Sequence, residues 1–208
     1  MNTEIPSRKS FPEYEGIFKM TESIMGFLPN SMLFMTEKPD LMLSFMMLSK
    51  TVLKQKMKVS IFEKMKLMLK FMMAIIRGEK EQDTLSLELR WLIAYASSNA
   101  AGCTYCKTHT SHSAIELGVS KEKIDDVFNY KESSHFSGKE KAAIAVAISG
   151  GSVPNSTGHQ HFEDLKQFFS QKEIIEIISI IALFGFLNRW NDTLKTPLEE
   201  LFVGKTET

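Results

Sequence analysis

Apolar residues recur at helical spacing along nearly the whole chain of 208 residues. Strand signals are few, since no Asn-Gly or Asp-Gly turn occurs and runs that alternate β-branched and polar residues are missing. No proline falls between residues 40 and 153 to interrupt the helical pattern. The pattern predicts an all-α protein with helices near residues 11–27, 40–57, 60–77, 84–101, 103–117, 121–130, 138–149, 158–169 and 171–195.

Local signals mark several of these boundaries. A serine or threonine followed three residues later by Glu or Gln is typical of a helix start, because the two side chains cap each other's backbone N–H groups. Gly118 stands where a helix end favours a left-handed residue. The predicted capping pairs are Ser137 with Glu140, Thr157 with Gln160, and Ser170 with Glu173.

The composition is that of an ordinary globular protein, with 43% hydrophobic and 24% charged residues. Equal numbers of basic and acidic residues, 25 each, argue against a nucleic-acid partner. The longest apolar run, 177–187, is far shorter than the roughly 20 residues that cross a bilayer, so no membrane partner is expected. No leader-like pattern opens the chain, which predicts a cytoplasmic location. The length suits a single domain, residues 1–208.

Residues 1–80 form a methionine-rich, basic part, and all 13 methionines lie at or before Met73. On a helix over 60–77, charged side chains occupy one narrow stripe and the remaining circumference is mostly apolar. Such a helix is usually buried in a core or in a subunit interface, with methionines filling gaps, so a homo-oligomer is expected. The alternative is a basic amphipathic helix that binds a membrane surface.

Residues 81–208 contain a faint internal repeat at an offset near 50 residues. The segment 86–96 resembles 137–147. Ser120, Ile124 and Val127 recur in the same way as Ser170, Ile174 and Ile177. The repeat predicts pseudo-symmetric packing, and coincidence between amphipathic helices is the alternative.

The chemistry is concentrated at residues 102–112, which contain the two cysteines of the chain, Cys103 and Cys106. Gly102 interrupts the preceding helical pattern, so both cysteines fall in the first turn of the next helix. There the unpaired N–H groups and the helix dipole stabilise a thiolate. A disulfide between cysteines three residues apart closes too small a loop to add much stability, so the pair is interpreted as redox-active.

Two histidines follow the cysteines. At about 100° per residue, His109 lies about 60° from Cys106 on the helix, so it can act as a base or charge partner of that sulfur. His112 lies about 180° from Cys103, so the four side chains cannot enclose one zinc ion on an unbroken helix. No metal and no cofactor are therefore expected, and His112 is interpreted as a packed or surface residue.

This sequence resembles the alkylhydroperoxidase D and carboxymuconolactone decarboxylase family. The likeness rests on the C-x-x-C, the nearby histidine and the segment ELGVS before an amphipathic helix, with weaker matches at MGFLPNSM and FGFLNRWNDTL. It implies an alkylhydroperoxidase D-like helical bundle, a homo-oligomer, and peroxidase or disulfide oxidoreductase activity. It further implies that Cys106 attacks the hydroperoxide and Cys103 resolves the product.

Two positions depart from the family pattern. The usual histidine, four residues after the second cysteine, is Thr110 here, and His109 comes one residue earlier. The usual glutamate, twelve residues before the first cysteine, is Trp91, and Glu88 is the nearest replacement on that helix.

The resulting hypothesis is a thiol-dependent peroxidase with His109 as the third catalytic residue. A hydroperoxide is its substrate, and an external dithiol or a thioredoxin-like protein is its reductant. The alternatives are disulfide exchange with protein partners, a non-catalytic helical scaffold, and the family's lyase chemistry, which does not need adjacent cysteines.

Overall fold

The computed structural model describes residues 5–54, 60–78 and 85–202. All regular elements within these ranges are helical, which confirms the all-α prediction. The α-helices are α1 (Glu15–Met25), α2 (Asn30–Met35), α3 (Pro39–Leu53), α4 (Ile61–Gly78), α5 (Leu87–Ala100), α6 (Thr104–Glu116), α7 (Lys121–Asp125), α8 (Gly138–Gly151), α9 (His159–Lys166) and α10 (Gln171–Leu194). Short 3₁₀ turns cover Arg8–Ser10, Pro12–Tyr14, Val127–Asn129 and Glu200–Phe202.

The helix boundaries differ from the sequence prediction in a few places. The segment 11–27 starts with a 3₁₀ turn and ends at Gly26, whose φ of +83° stops α1. The six-residue α2 was not predicted, because it is too short to show a helical period. The helix predicted over 40–57 ends at Leu53, and its residues 55–57 lie outside the described residues. Residue 84, the predicted start of the next helix, also lies outside them.

Helix caps explain why the other boundaries fall where they do. The capping boxes at Ser137 and Ser170 are confirmed, each serine oxygen accepting from the backbone N–H three residues on. Gly118, with φ of +97°, follows the end of α6 as predicted. The capping box at Thr157 is wrong, because the Thr157 hydroxyl lies 3.0 Å from that of Ser149 instead.

Gly158 takes the capping position of α9. Its N–H donates to Nδ1 of His161 at 3.0 Å, so the start of α9 is capped by a histidine side chain three residues on. A glycine in this position has no side chain of its own to cap the helix, and the imidazole supplies the acceptor.

The described chain divides into two compact units, Asn2–Asp83 and Thr84–Thr208. In the first unit, Phe18 and Met42 are fully buried. Arg8 ties the 3₁₀ turn to α1 through ion pairs with Glu15 and Glu22 at 2.8 and 2.7 Å. That the whole chain behaves as one domain stays a prediction.

Helix α4 of the first unit exposes its apolar side chains. None of the described helices is both long enough and apolar enough to cross a membrane. Burial of this segment in a core or in a subunit interface stays a prediction, and in the single chain the side chains whose exposure is described face outward. The exposed side chains of α4 include Ile61, Phe62, Met65, Met68, Leu69 and Met72.

The second unit is built around α5, α8 and α10, which share one core. Helices α5 and α8 approach closely at Gly151, where an added Cβ would lie 2.8 Å from the Cα of Ser97. Only glycine fits at this crossing.

The positions paired by the internal repeat have equivalent roles in the second unit. Ser86 caps α5 as Ser137 caps α8, and Ser120 caps α7 as Ser170 caps α10. The paired apolar residues at 124 and 174, and at 127 and 177, are all buried in the shared core. These equivalences support the repeat, which stays a prediction.

Candidate active site at the start of helix α6

The two cysteines lie where α6 begins. Gly102, with φ of +76°, turns the chain after α5, and the Cys103 N–H donates to the carbonyl of Ser98 at 3.3 Å. Cys103 is the N-cap residue of α6, and its sulfur accepts from the N–H of Cys106 at 3.4 Å. Cys106 therefore lies in the first helical turn, close to backbone N–H groups that favour negative charge.

Both cysteines are free thiols and both side chains are buried, Cys103 completely. Burial is the largest of the effects that raise the pKa of the Cys103 thiol to about 12; the Cys106 N–H opposes it, and Asp192 and the Cys106 thiol act in the same direction as burial. Cys103 is therefore protonated at neutral pH. A buried thiol of this kind is a poor first nucleophile.

Helix α10 supplies two polar side chains to the cysteines. The Asn191 side-chain amide donates to the sulfur of Cys106 at 3.5 Å, and also to the carbonyl of Leu187 at 3.0 Å. The Asp192 side chain interacts with Cys103 and contributes to the raised pKa of that thiol. The site thus pairs each sulfur with a different residue of α10.

Sequence reasoning missed these two residues of α10. They are separated from the cysteines by more than 80 positions, so no local spacing connects them. The available signal was a polar interruption in an apolar helix, at Asn188, Asn191 and Asp192. That signal marks a polar face but does not reveal what the face contacts.

His109 contacts the C-terminal segment of the second unit. Its Nε2 lies 2.7 Å from Oε2 of Glu199, and its ring packs against those of Tyr105 and Phe202, with ring centres 4.3 and 4.8 Å apart. Tyr105 donates its hydroxyl to the other oxygen of Glu199 at 2.8 Å. The partnership of His109 with the Cys106 sulfur stays a prediction.

The remaining candidate residues have other contacts. Thr110, at the usual position of the family histidine, is fully buried and its hydroxyl donates to the Cys106 carbonyl at 2.7 Å. Trp91 packs edge-on against Phe184, with ring centres 6.2 Å apart. His112 is exposed and packs against the ring of Phe202.

Glu88 lies at the opposite end of α5 from the cysteines. Twelve residues separate it from Ala100, which corresponds to about 18 Å along the helix axis. Its pKa is lowered by its own backbone N–H and by the Ser86 hydroxyl, so its carboxylate takes part in capping α5. It is a poor replacement for the glutamate that Trp91 displaces.

No group of three or more His, Cys, Asp and Glu side chains with the arrangement of a metal site occurs within 5–54, 60–78 and 85–202.

Comparison with known proteins places this site in a family. The model of the carboxymuconolactone decarboxylase family matches residues 65–149, which include both cysteines. The crystal structure of the debrominase Bmp8 is 34% identical, covering 96% of this chain and 94% of that one with a TM-score of 0.54. This chain belongs to the carboxymuconolactone decarboxylase family.

More distant relatives share the fold. An alkylhydroperoxidase AhpD core protein from Ralstonia eutropha JMP134, an uncharacterized peroxidase-related protein, is 19% identical over 95% of this chain and 92% of its own, with a TM-score of 0.52. The uncharacterized protein YnjA of Escherichia coli (strain K12) is 23% identical over 123 residues, 59% of this chain and 68% of that protein. The alkylhydroperoxidase D-like helical fold is therefore confirmed.

The family match covers only the cysteine side of the site. Residues 65–149 include α5, α6 and their cysteines, whereas Asn191, Asp192 and Glu199 lie beyond the matched segment. The side chains that α10 and the segment after it bring to the dithiol therefore lie outside the family-model match.

Proposed function

We propose that this protein is a thiol-dependent oxidoreductase that reduces hydroperoxides through Cys103 and Cys106. The observation that carries the proposal is the unequal surroundings of the two sulfurs. Cys103 is fully buried with a pKa raised to about 12, whereas the sulfur of Cys106 faces the amide donor of Asn191 in the first turn of α6. This asymmetry supports Cys106 as the attacking thiol and Cys103 as the resolving one.

The reaction proceeds in two steps. The Cys106 thiolate attacks one peroxide oxygen, the O–O bond breaks, and the leaving alkoxide takes a proton to become an alcohol. Cys106 is then a sulfenic acid. The Cys103 sulfur attacks the Cys106 sulfur, its proton passes to the departing hydroxide either directly or by way of the Asp192 carboxylate, and water leaves. Formation of the disulfide gives up the two electrons that the peroxide gains, and an external dithiol or thioredoxin-like protein then supplies two electrons that restore both thiols by exchange.

His109 has the third role in this proposal. It lies one helical turn after Cys106, where an imidazolium stabilises the thiolate and a neutral imidazole accepts its proton. General-base assistance of this kind typically contributes about 10²- to 10⁴-fold to a rate.

A second candidate reaction is reductive debromination. It is favoured by the 34% identity to a debrominase over almost the entire length of both chains. A cysteine-to-alanine variant of that debrominase has been solved in complex with 2,3,4-tribromopyrrole, and it is 33% identical to this chain. Replacing a carbon–bromine bond with a carbon–hydrogen bond takes two electrons, and oxidation of Cys103 and Cys106 to a disulfide supplies two. Cys106 accepts bromine from carbon, the carbon takes a proton, and Cys103 displaces bromide to form the disulfide.

One experiment separates the candidates. The reduced protein is mixed without oxygen with hydrogen peroxide, with an organic hydroperoxide or with 2,3,4-tribromopyrrole, and thiols and bromide are counted over time. Loss of two thiols per peroxide supports the first function, and bromide release with loss of two thiols supports the second. A fourth sample contains oxidised thioredoxin. Loss of thiols in that sample alone indicates a disulfide oxidoreductase, and inert thiols in all four samples indicate a helical scaffold.

A further inference from the structure

The Glu199 carboxylate joins two side chains of α6. One oxygen accepts the Tyr105 hydroxyl at 2.8 Å, and the other lies 2.7 Å from Nε2 of His109. The Tyr105 and His109 rings are also in contact, with centres 4.3 Å apart. These contacts connect a segment that follows α10 to the turn of helix immediately after Cys106.

The charge of Glu199 decides where the proton on His109 resides. The hydroxyl of Tyr105 lowers the pKa of Glu199, with its own backbone N–H and His109 acting in the same direction. An ionised carboxylate can only accept hydrogen bonds, so Nε2 of His109 must be the donor. A neutral imidazole with its proton on Nε2 has Nδ1 free to accept a proton.

We propose that Glu199 is a positioning residue that fixes the tautomer and ring orientation of His109, so that Nδ1 is the proton-accepting nitrogen. This inference rests on the proposed function, because it concerns the base that serves Cys106. Tyr105 is the residue that orients Glu199, since it holds the second carboxylate oxygen.

The groups around His109 show which residues can influence its tautomer and its ring orientation. Among residues 5–54, 60–78 and 85–202, the charged or titratable groups in contact with it are Glu199 and Tyr105, and Cys106 acts electrostatically on Tyr105. On the other side, the buried ring of Phe202 packs edge-on against His109 and against His112. Phe202 limits rotation of the His109 ring without offering it a hydrogen bond.

Glu199 lies far along the chain from the position where the family usually has a glutamate. Trp91 stands where the family usually has a glutamate, and Glu88 is at the far end of α5. In this chain the carboxylate reaches the histidine from a segment 90 residues later. The carboxylate that contacts His109 in this chain therefore comes from the segment after α10.

The test compares Glu199→Gln with Glu200→Gln, an identical change at the adjacent exposed residue. We expect Glu199→Gln to slow peroxide reduction at pH 7 about tenfold with little change in KM, and to move the midpoint of the pH–rate profile. Glu200→Gln is expected within twofold of the unmodified protein. Tyr105→Phe keeps the ring against His109 but removes one hydrogen bond of Glu199, so a smaller loss of about threefold is expected.

The tautomer itself is read by nitrogen NMR of His109, which does not depend on activity. We expect the Nε2–H form in the unmodified protein and a mixture or the Nδ1–H form in Glu199→Gln. Equal rates, pH profiles and His109 spectra in Glu199→Gln and Glu200→Gln would overturn the inference. Failure of the proposed function has a different signature, because the unmodified protein would then consume no hydroperoxide, while the His109 spectra of Glu199→Gln and Glu200→Gln would still differ.

Discussion

The side-chain amide of Asn191 lies 3.5 Å from the sulfur of Cys106, although the two residues are 85 positions apart. The contact directs a hydrogen-bond donor from α10 at the cysteine in the first turn of α6. A donor stabilises a thiolate more than a thiol, because hydrogen bonds to charged groups are the stronger ones. The contact with Asn191 therefore favours the thiolate form of Cys106, and this separates its proposed role from that of Cys103.

Replacing Asn191 with leucine should make Cys106 less reactive. A hydrogen bond to a charged group contributes roughly 1.5 kcal/mol or more, so alkylation of Cys106 by iodoacetamide at pH 7 is expected to slow about tenfold. Thr193→Val, on the exposed side of the same helix, is the matched control and should have little effect. An unchanged rate in Asn191→Leu would show that the amide does not act on the thiolate.

The two cysteines should respond differently to substitution. Cys103→Ser is expected to consume one equivalent of peroxide and then stop as sulfenic acid or continue to sulfinic acid, because no thiol remains to resolve it. Cys106→Ser is expected to be nearly inert. Mass spectrometry of the products measures both outcomes, and the reverse order would exchange the proposed roles.

His109→Ala is expected to slow peroxide reduction at pH 7 at least tenfold and to slow the alkylation of Cys106 by iodoacetamide at the same pH. The reason is that a base or a positive charge next to the thiolate is lost. His112→Ala is the control, because His112 is exposed and its described contact is with Phe202, and a change below threefold is expected. A loss confined to His112→Ala would mean that the other histidine serves the thiol, and circular dichroism would check that both variants fold.

The raised pKa of Cys103 predicts how stability depends on pH. A folded-state pKa of about 12, above the ordinary value of 9.0, means that the folded protein retains a proton that the unfolded chain releases. The free energy of unfolding should therefore fall as pH rises from about 9 towards 12, by at most about 1.4 kcal/mol per pH unit from this group.

Denaturant unfolding at pH 8 and pH 10.5 measures this contribution. Cys103→Ser should show a shallower decrease than the unmodified protein, because serine does not titrate in this range. Asp192→Asn should lie between them, since removal of the Asp192 carboxylate lowers the pKa of Cys103 while burial still raises it. Parallel curves for all three proteins would contradict the prediction.

A homo-oligomer that uses helices α3 and α4 is also expected. Their exposed apolar side chains form an area that a second copy of the chain could bury, and obligate interfaces bury about 2,000 Å² or more in total. Sedimentation at micromolar concentration should give a mass above 23.7 kDa. The exposed apolar residues include Phe45, Leu48, Val52, Ile61, Phe62, Met65 and Leu69.

Substitution at α4 tests this surface directly. The double variant Phe62→Asp and Met65→Asp should dissociate the assembly, whereas Lys66→Asp on the charged stripe of the same helix should not. A monomer in the unmodified protein would rule out the oligomer.

The helical fold and the location of the dithiol could be predicted from the sequence alone. Their signals are local, since a helix is read from a period of 3.6 residues and a cap from a pair of residues three apart. Ser137 and Ser170 follow these rules, and Gly102 marks the turn that places Cys103 and Cys106 in one helical start. Helix α2 is too short to show the period, and α9 is capped by a histidine three residues on.

The surroundings of the dithiol were decided only by the tertiary structure. Helical spacing indicates which face of a helix carries polar residues, but it does not reveal which helix packs against that face. Asn191, Asp192 and Glu199 reach α6 through packing between elements more than 80 residues apart. The pKa of Cys103 depends on the same packing, because burial and a neighbouring carboxylate exist only after the chain has folded.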